Sequence, residues 1–383
     1  MNSTIKLYDE HNIDELTFPQ TPDGQYAKNF LVPLIKDGTK AYIRNIDTKL
    51  YVLKIDDVVF PVSVNDKEYK NSYVCSPYTH YIQYAKDELY LIKSKFFRSI
   101  LTFLLNCLSP IFKMNQVNKT VHINNWFVST NLYPQLSSEQ INTMTQFLKS
   151  KFPKHVLIFR SINQRHHPKI YRKLDQLGYK LIASRQIYVI NPNEKRLKKK
   201  QRKAIRQDVR LIEKKGYQLF TEKQISKGDI GSILDLYRQL YLGKYSMYNP
   251  QFTEKMIDLA IEKNLFHFNV IKKDGRTDAV LGYFFRNGIM TTPILGYNLS
   301  LPLETGLYRM MVSRLYYIAL ENHFSLNRSS GAAQFKRFRG ADPEIEYSAV
   351  YDRHLPWWRR LIWSFLKLII NRIGIPIVKK YKL

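Results

Sequence analysis

The sequence has few cysteines, few acids and no long uninterrupted apolar run, and each shortage excludes something. Only Cys75 and Cys107 occur in 383 residues, so the chain is no disulfide scaffold and a reducing compartment is expected. Asp and Glu number 32 against 60 Lys and Arg, a formal charge of +28. That imbalance points to an anionic partner, which composition leaves open among nucleic acid, acidic lipid and a phosphate-bearing cosubstrate. The longest apolar stretches are 100–112 and 361–378, and the second is broken by Lys367, Asn371, Arg372 and Pro376. Neither reads as a transmembrane helix. The first 15 residues are polar and carry Asp9, Glu10, Asp14 and Glu15, the opposite of a secretory signal, so a cytoplasmic location is expected, or a peripheral one at the inner membrane face.

Several catalytic signatures are missing as well. There is no GxSxG elbow, no GxxxxGK[ST] loop and no CxxC pair, which removes the simplest cases for a serine hydrolase, a P-loop nucleotidase or a cysteine-ligated zinc. Among nine histidines only His166 and His167 adjoin, and no metal site is expected. What is present is core material: 44% hydrophobic and 14% aromatic residues suffice for about two to three domains.

Between residues 26 and 73 the runs KAYIRNI, KLYVLKI and VVFPVSV read as a β-meander, and residues 78–106 as a buried helix. Strands and helices then alternate: VHINNWFVS, a helix entered at Leu136-Ser137-Ser138-Glu139, VLIFRSI, a helix from Pro168 stopped by Gly178, and YKLIASRQIYVI. Residues 194–215 hold eleven Lys or Arg against three acids, with Ile205, Val209 and Ile212 at helical spacing and Gly216 as a stop. This basic amphipathic helix either tracks phosphates or turns a solvated face outward. From Tyr217 the alternation repeats, with hairpin turns at Asp274-Gly275 and Asn287-Gly288. The fold class is therefore α/β, mixed sheets flanked by helices in two domains, 1–190 and 191–352. A basic, aromatic tail, 353–383, carries Trp357, Trp358 and Trp363. It suits either an anionic membrane surface or a closing helix.

The segment Gly288 to Tyr351 is the most informative. A strand is followed by a helix entered at Glu304-Thr305-Gly306, and a helix N-terminus offers free N–H groups to a diphosphate. Gly306 permits close approach, Ser329, Ser330 and Gly331 make a small second cradle, and Lys336, Arg337 and Arg339 supply cations. The plainer alternative makes Gly306 a turn residue and FKRFR a solvated strand edge.

Three stretches of this sequence resemble the GNAT acyltransferase superfamily, and in particular its two-domain, FemAB-like branch of aminoacyltransferases and acyl-CoA N-acyltransferases. They are KKKQRKAIRQDVRLIEKKGYQL, YNLSLPLETGLYRMMVSRLYYIALENHF and SSGAAQFKRFRGADP, and together they cover Lys198 to Pro343. Residues 121–190 are similar to a degenerate first copy, which makes the architecture tandem GNAT-like domains. The Gln/Arg-x-x-Gly-x-Gly/Ala loop usual in GNAT enzymes is absent, with Gly306 alone in its place, as in FemAB-like enzymes. The resemblance implies acyl transfer to a small-molecule or peptide amine, from acyl-CoA as cosubstrate or from an aminoacyl-tRNA. Such chemistry needs a base, for which position offers Glu304 or Glu346, and an acid for the leaving group, for which it offers Tyr297 or Tyr347. The rival reading is a non-catalytic basic protein that binds nucleic acid or anionic membrane.

Overall fold

The computed structural model describes residues 4–194 and 196–376. In chain order it contains β1 (Ile5–Tyr8), α1 (Pro22–Lys36), β2 (Lys49–Ile55), β3 (Val58–Asn65), α2 (Lys95–Met114), β4 (Thr120–Ile123), α3 (Ser138–Lys151), β5 (Val156–Ile162), α4 (Pro168–Gln176) and β6 (Lys180–Ile190). There follow α5 (Lys199–Val209), β7 (Gln218–Thr221), α6 (Ile230–Tyr237), α7 (Glu254–Glu262), β8 (His267–Lys273), β9 (Arg276–Arg286), β10 (Ile289–Tyr297), α8 (Leu307–Glu321), β11 (Ser325–Asn327) and α9 (Ala333–Phe338). β12 (Asp342–Tyr351) and α10 (Trp357–Ile369) come last.

The chain divides into two compact units, with the boundary inside β6 between Arg185 and Gln186. The first unit also takes Tyr248–Gln251 and, of the described residues, 345–376, and the second comprises Gln186–Met247 and Phe252–Glu344. Residues 345–352, which sequence grouped with the second domain, are therefore part of the first unit, because β12 pairs antiparallel with β5. The described part of the basic tail joins the same unit, and residues 377–383 of it lie outside the described residues.

Each unit is a mixed sheet flanked by helices, and the two follow one plan. In the first, β1, β2, β3 and β4 pair antiparallel in succession, β4 pairs parallel with β5, and β5 antiparallel with β12. In the second, β7, β8, β9 and β10 pair antiparallel in succession, β10 pairs parallel with β11, and β11 antiparallel with β6. In both, a helix links the two parallel strands, as a parallel connection requires: α3 between β4 and β5, α8 between β10 and β11.

Local signals explain the elements. The Ser137 hydroxyl accepts the Gln140 N–H while the Gln140 side chain accepts the Ser137 N–H, a capping box that starts α3. Asp274-Gly275 and Asn287-Gly288 both have positive φ, +50° then +75° and +50° then +72°, the backbone of tight hairpin turns. The basic helix α5 is docked: Ile205, with Ile212 on the helical turn Leu211–Lys214 that follows, joins a core with Met310, Met311 and Leu315 of α8, while Lys199, Lys200, Lys203 and Arg206 are exposed.

Three local expectations change. KAYIRNI is not a strand, since Thr39–Tyr42 forms one helical turn that buries Thr39 and Tyr42. The region before it is α1, capped by the Thr21 hydroxyl on the Gly24 N–H with Pro22 at its first position. FKRFR lies on the helix α9 rather than a strand edge.

Candidate functional site

In the second unit β10 and β11 part company early. They pair only over Ile289–Thr291 and Ser325–Asn327, and β11 is three residues long, whereas β10 runs on to Tyr297. On its other side β10 shifts register against β9 between Thr291 and Ile294, around Pro293, which has no N–H to give to a ladder. The result is a fork whose β10 arm has no β11 partner beyond Thr291.

Buried polar atoms without partners occur on the two strands of this fork and just after β11. Thr291 Oγ1, Thr292 Oγ1, Asn327 Nδ2 and Arg328 Nη2 are all buried and bond to nothing. Thr291 and Asn327 are register partners, and Arg328 is the next residue, only 8% exposed. Such atoms are rare in folded proteins because each costs roughly 1–3 kcal/mol when dehydrated without a partner. Burial lowers the Arg328 guanidinium to about 10, the phenol of Tyr308 opposing that shift and Arg339 adding to it.

The rest of the fork is aromatic and cationic. Arg328 lies 5.9 Å from the Phe335 ring and Arg339 stacks on it at 3.5 Å. Phe335 in turn contacts Tyr308 at 5.0 Å, and Tyr308 contacts Tyr297 at 6.0 Å. Tyr308 is the second residue of α8, so this cluster adjoins the helix N-terminus. Gly306 enters α8 at φ +81°, and an added Cβ would lie 2.9 Å from Leu211 Cδ1, so both backbone and space call for glycine. Burial raises the phenols of Tyr297 and Tyr308, which keeps them protonated as hydrogen-bond donors.

The other expected phosphate ligands are placed differently. Lys336 is 4% exposed, and its ammonium donates to the carbonyls of Arg328, Ser329 and Ser330 at 2.5, 3.2 and 2.7 Å. It fixes the loop after β11 and does not face outward to a phosphate. That loop turns the carbonyls of Arg328, Ser329 and Ser330 toward the Lys336 ammonium, and of the expected cradle the Ser329 N–H is given to Asn327 Oδ1. Arg337 lies over the Tyr188 ring at 5.7 Å. Arg339 Nε donates to Asp208 Oδ2 at 2.5 Å, and Arg309 Nε to Asp208 Oδ1 at 2.7 Å. One buried carboxylate of α5 thus clamps two arginines. Glu304 is exposed in the turn Leu303–Thr305 that leads into α8. Of the expected residues, then, the fork unites Tyr297, Gly306 and Arg339. Arg328 was missed because NRSSG reads as an ordinary loop.

Glu346 and Tyr347 belong to the first unit. Glu346 is 2% exposed; its Oε1 accepts from Arg185 Nε at 2.8 Å and its Oε2 has no partner. It lines a small polar cavity with His80, His122, Arg160 and Arg185, with a free volume of about 20 Å³, room for one water. Burial, then Arg160, holds the imidazoles of His80 and His122 down to about 3, so both are neutral at pH 7. Arg160 donates to Asn125 Oδ1 at 3.1 Å, and burial lowers its guanidinium. This cavity is a buried polar core, too small in this conformation for an acyl chain. Tyr347 packs edge-on against Tyr171 at 5.6 Å.

A second, open pocket of about 380 Å³ lies in the second unit, where His267 Nδ1 is 2.7 Å from Glu222 Oε2. A carboxylate-held imidazole is competent for proton transfer. Among the described residues no group of three or more His, Cys, Asp or Glu converges as metal ligands would.

No family model matches the sequence, and no curated protein is similar to it. Among solved structures the chain is similar to L-PGS from Bacillus licheniformis, at 17% identity over 59% of this chain and 77% of that one, TM-score 0.43. It is also similar to FemX, at 10% identity over 60% and 80%, TM-score 0.44. A third similar structure is a GCN5-related N-acetyltransferase from Kribbella flavida, at 11% identity over 61% and 81%, TM-score 0.32. At these values the chemistry of this chain has to be read from its own residues.

Proposed function

We propose that the protein is an acyltransferase that carries an acyl group from an activated donor to an amine, with the reaction centred on the fork between β10 and β11. The observation that carries this reading is the set of unpartnered buried atoms there: Thr291 Oγ1, Thr292 Oγ1, Asn327 Nδ2 and Arg328 Nη2. Buried donors left without acceptors in the folded chain are suited to a ligand that supplies oxygen atoms, and an acyl donor with its phosphates does so. The resemblance of residues 198–343 to GNAT and FemAB-like enzymes favours the same place.

In this reading the donor's phosphates lie at the N-terminus of α8 beside Arg328. The carbonyl to be attacked lies along the unpaired arm of β10, whose N–H groups stabilise the oxyanion of the tetrahedral intermediate. The amine nitrogen bonds to the carbonyl carbon and loses a proton to a base, for which Glu304, exposed beside Gly306, is the carboxylate on the same turn. The carbon–sulfur bond of a thioester then breaks, and Tyr297, protonated at neutral pH, delivers a proton to the leaving thiolate. An amide and a free thiol result. An aminoacyl-tRNA would react in the same way with an alcohol as leaving group, and the exposed cations of α5 favour so large an anion.

The test measures thiol release over a panel of acyl-CoAs, and deacylation of aminoacyl-tRNA, with amine acceptors present. Turnover with one donor class, and a KM for that donor raised about tenfold or more by Arg328→Gln, supports the reading. Steep salt-dependent retention on nucleic acid without any turnover favours a non-catalytic binder instead.

A further inference from the structure

The first unit presents two helices with unusual outer faces. Among the described residues α2 is the one helix long and apolar enough to cross a membrane by length and composition, yet only 6% of its apolar window is buried. Phe96, Phe97 and Phe103 are 70, 57 and 66% exposed, and on α10 Trp357, Leu361 and Leu368 are 71, 57 and 51% exposed. Sequence placed a buried helix over 78–106, and the structure turns most of its second half outward instead.

Both helices are fixed to one core. Phe112 of α2 and Ile362, Trp363 and Leu366 of α10 share a cluster with Val156 and Ile158. Arg359 joins their ends: its guanidinium donates to the carbonyls of Asn115 and Gln116, just past the end of α2, and of Lys154. This clamp brings the end of α2, with Ile111 and Met114 exposed, beside the start of α10, with Trp357 and Trp358 exposed. The exposed apolar residues at the end of α2 and at the start of α10 are therefore neighbours. Exposed apolar area on this scale marks a surface that something covers.

Charge identifies the cover. No Asp or Glu occurs from Leu89 to Ser138, or from Arg353 to Leu383. Lys95, Arg98 and Lys113 lie on α2 and Arg360 and Lys367 on α10. A second copy of this chain would bring like charges together, whereas an anionic bilayer complements them. Aromatic residues beside Lys and Arg are also the composition that settles at the lipid headgroup level. With Leu105, Leu108 and Phe112 packed on the core, the second half of α2 is held against the protein.

We infer that the joint face of α2 and α10 is a docking surface for an anionic membrane, into which the exposed Phe and Trp side chains insert. The full-length protein is sedimented with vesicles of phosphatidylcholine alone and with about one-third phosphatidylglycerol, at about 0.1 M salt and again at about 0.5 M. At least a tenfold preference for the anionic vesicles, weakened by salt, is expected. The double substitution Phe96→Glu with Phe103→Glu, at exposed positions, should remove the binding while leaving the melting temperature unchanged. Quenching of tryptophan emission by brominated acyl chains reads insertion in the unmodified protein and does not depend on any variant folding. The proposal is overturned by equal binding to neutral vesicles or none to anionic ones. It is equally overturned by anionic binding that survives the double substitution without quenching, or by a dimer that the substitution turns into a monomer. Since no step requires turnover, the outcome is independent of the acyltransferase reading.

Discussion

Asp208→Asn tests how the basic helix is held. Asp208 is 1% exposed and accepts from Arg309 of α8 and from Arg339 at the end of α9, so one carboxylate ties three helices of the second unit. The amide keeps the shape but removes the charge. Arg339 is 9% exposed and is left as a buried cation without its counter-charge, for which breaking a buried pair costs about 3–5 kcal/mol. The Arg309 side chain is 42% exposed, so water screens it and it adds only about 0–1 kcal/mol. For a unit of this size such a loss lowers the melting temperature by roughly 10 °C. Urea unfolding followed by circular dichroism measures it, and a partner substitution, Arg339→Met, makes the attribution specific. Added to Asp208→Asn it removes the stranded charge and should restore half or more of the lost stability. A loss under about 1 kcal/mol for the single change, or no recovery in the double, would refute the clamp.

Three further outcomes are expected. Stability should fall with acid: burial holds His122 and His167 at about 3 against an ordinary 6.5. The unfolded chain therefore binds more protons between these values, and stability is lost as pH drops through that window. From pH 7 to pH 5 each contributes a loss of about 2 kcal/mol, and an unfolding midpoint constant across that range would contradict the assignment. Lys336→Met should lower stability by about 2–3 kcal/mol, since three carbonyls lose a charged donor; a donor-affinity loss with no stability loss would instead restore Lys336 as a direct phosphate ligand. Finally, Ellman's reagent should titrate the exposed Cys107 in the native protein and Cys75 only after denaturation, because burial pushes the Cys75 thiol up to about 12.

Much of the fold could be read from local chemistry. The turns at Asp274-Gly275 and Asn287-Gly288, the cap at Ser137 and the docking stripe Ile205, Val209, Ile212 are all short-range signals, and the structure uses each. KAYIRNI misled because its apolar residues fit a strand by spacing, whereas its first three residues complete the helical turn Thr39–Tyr42 that buries Tyr42. The site was harder to read. Lys336 and Arg328 are eight residues apart, and only the fold decides which cation faces the fork and which holds the loop. Glu346 carries no sequence mark of belonging to the first unit, because its strand partner β5 lies far back in the chain. The exposed face of α2 was concealed by composition alone, since apolar residues at helical spacing look the same whether they face a core or a lipid.

The most direct measurement of the central claim is hydrogen–deuterium exchange of the full-length protein with and without a saturating acyl donor. Slowed exchange in Thr291 to Tyr297, in Ser325 to Gly331 and in the first turn of α8, with other segments of the second unit unchanged, is the predicted result. Protection confined to the polar cavity around Arg160 and Glu346, or none at a concentration where turnover is saturated, would contradict a reaction centred on the fork.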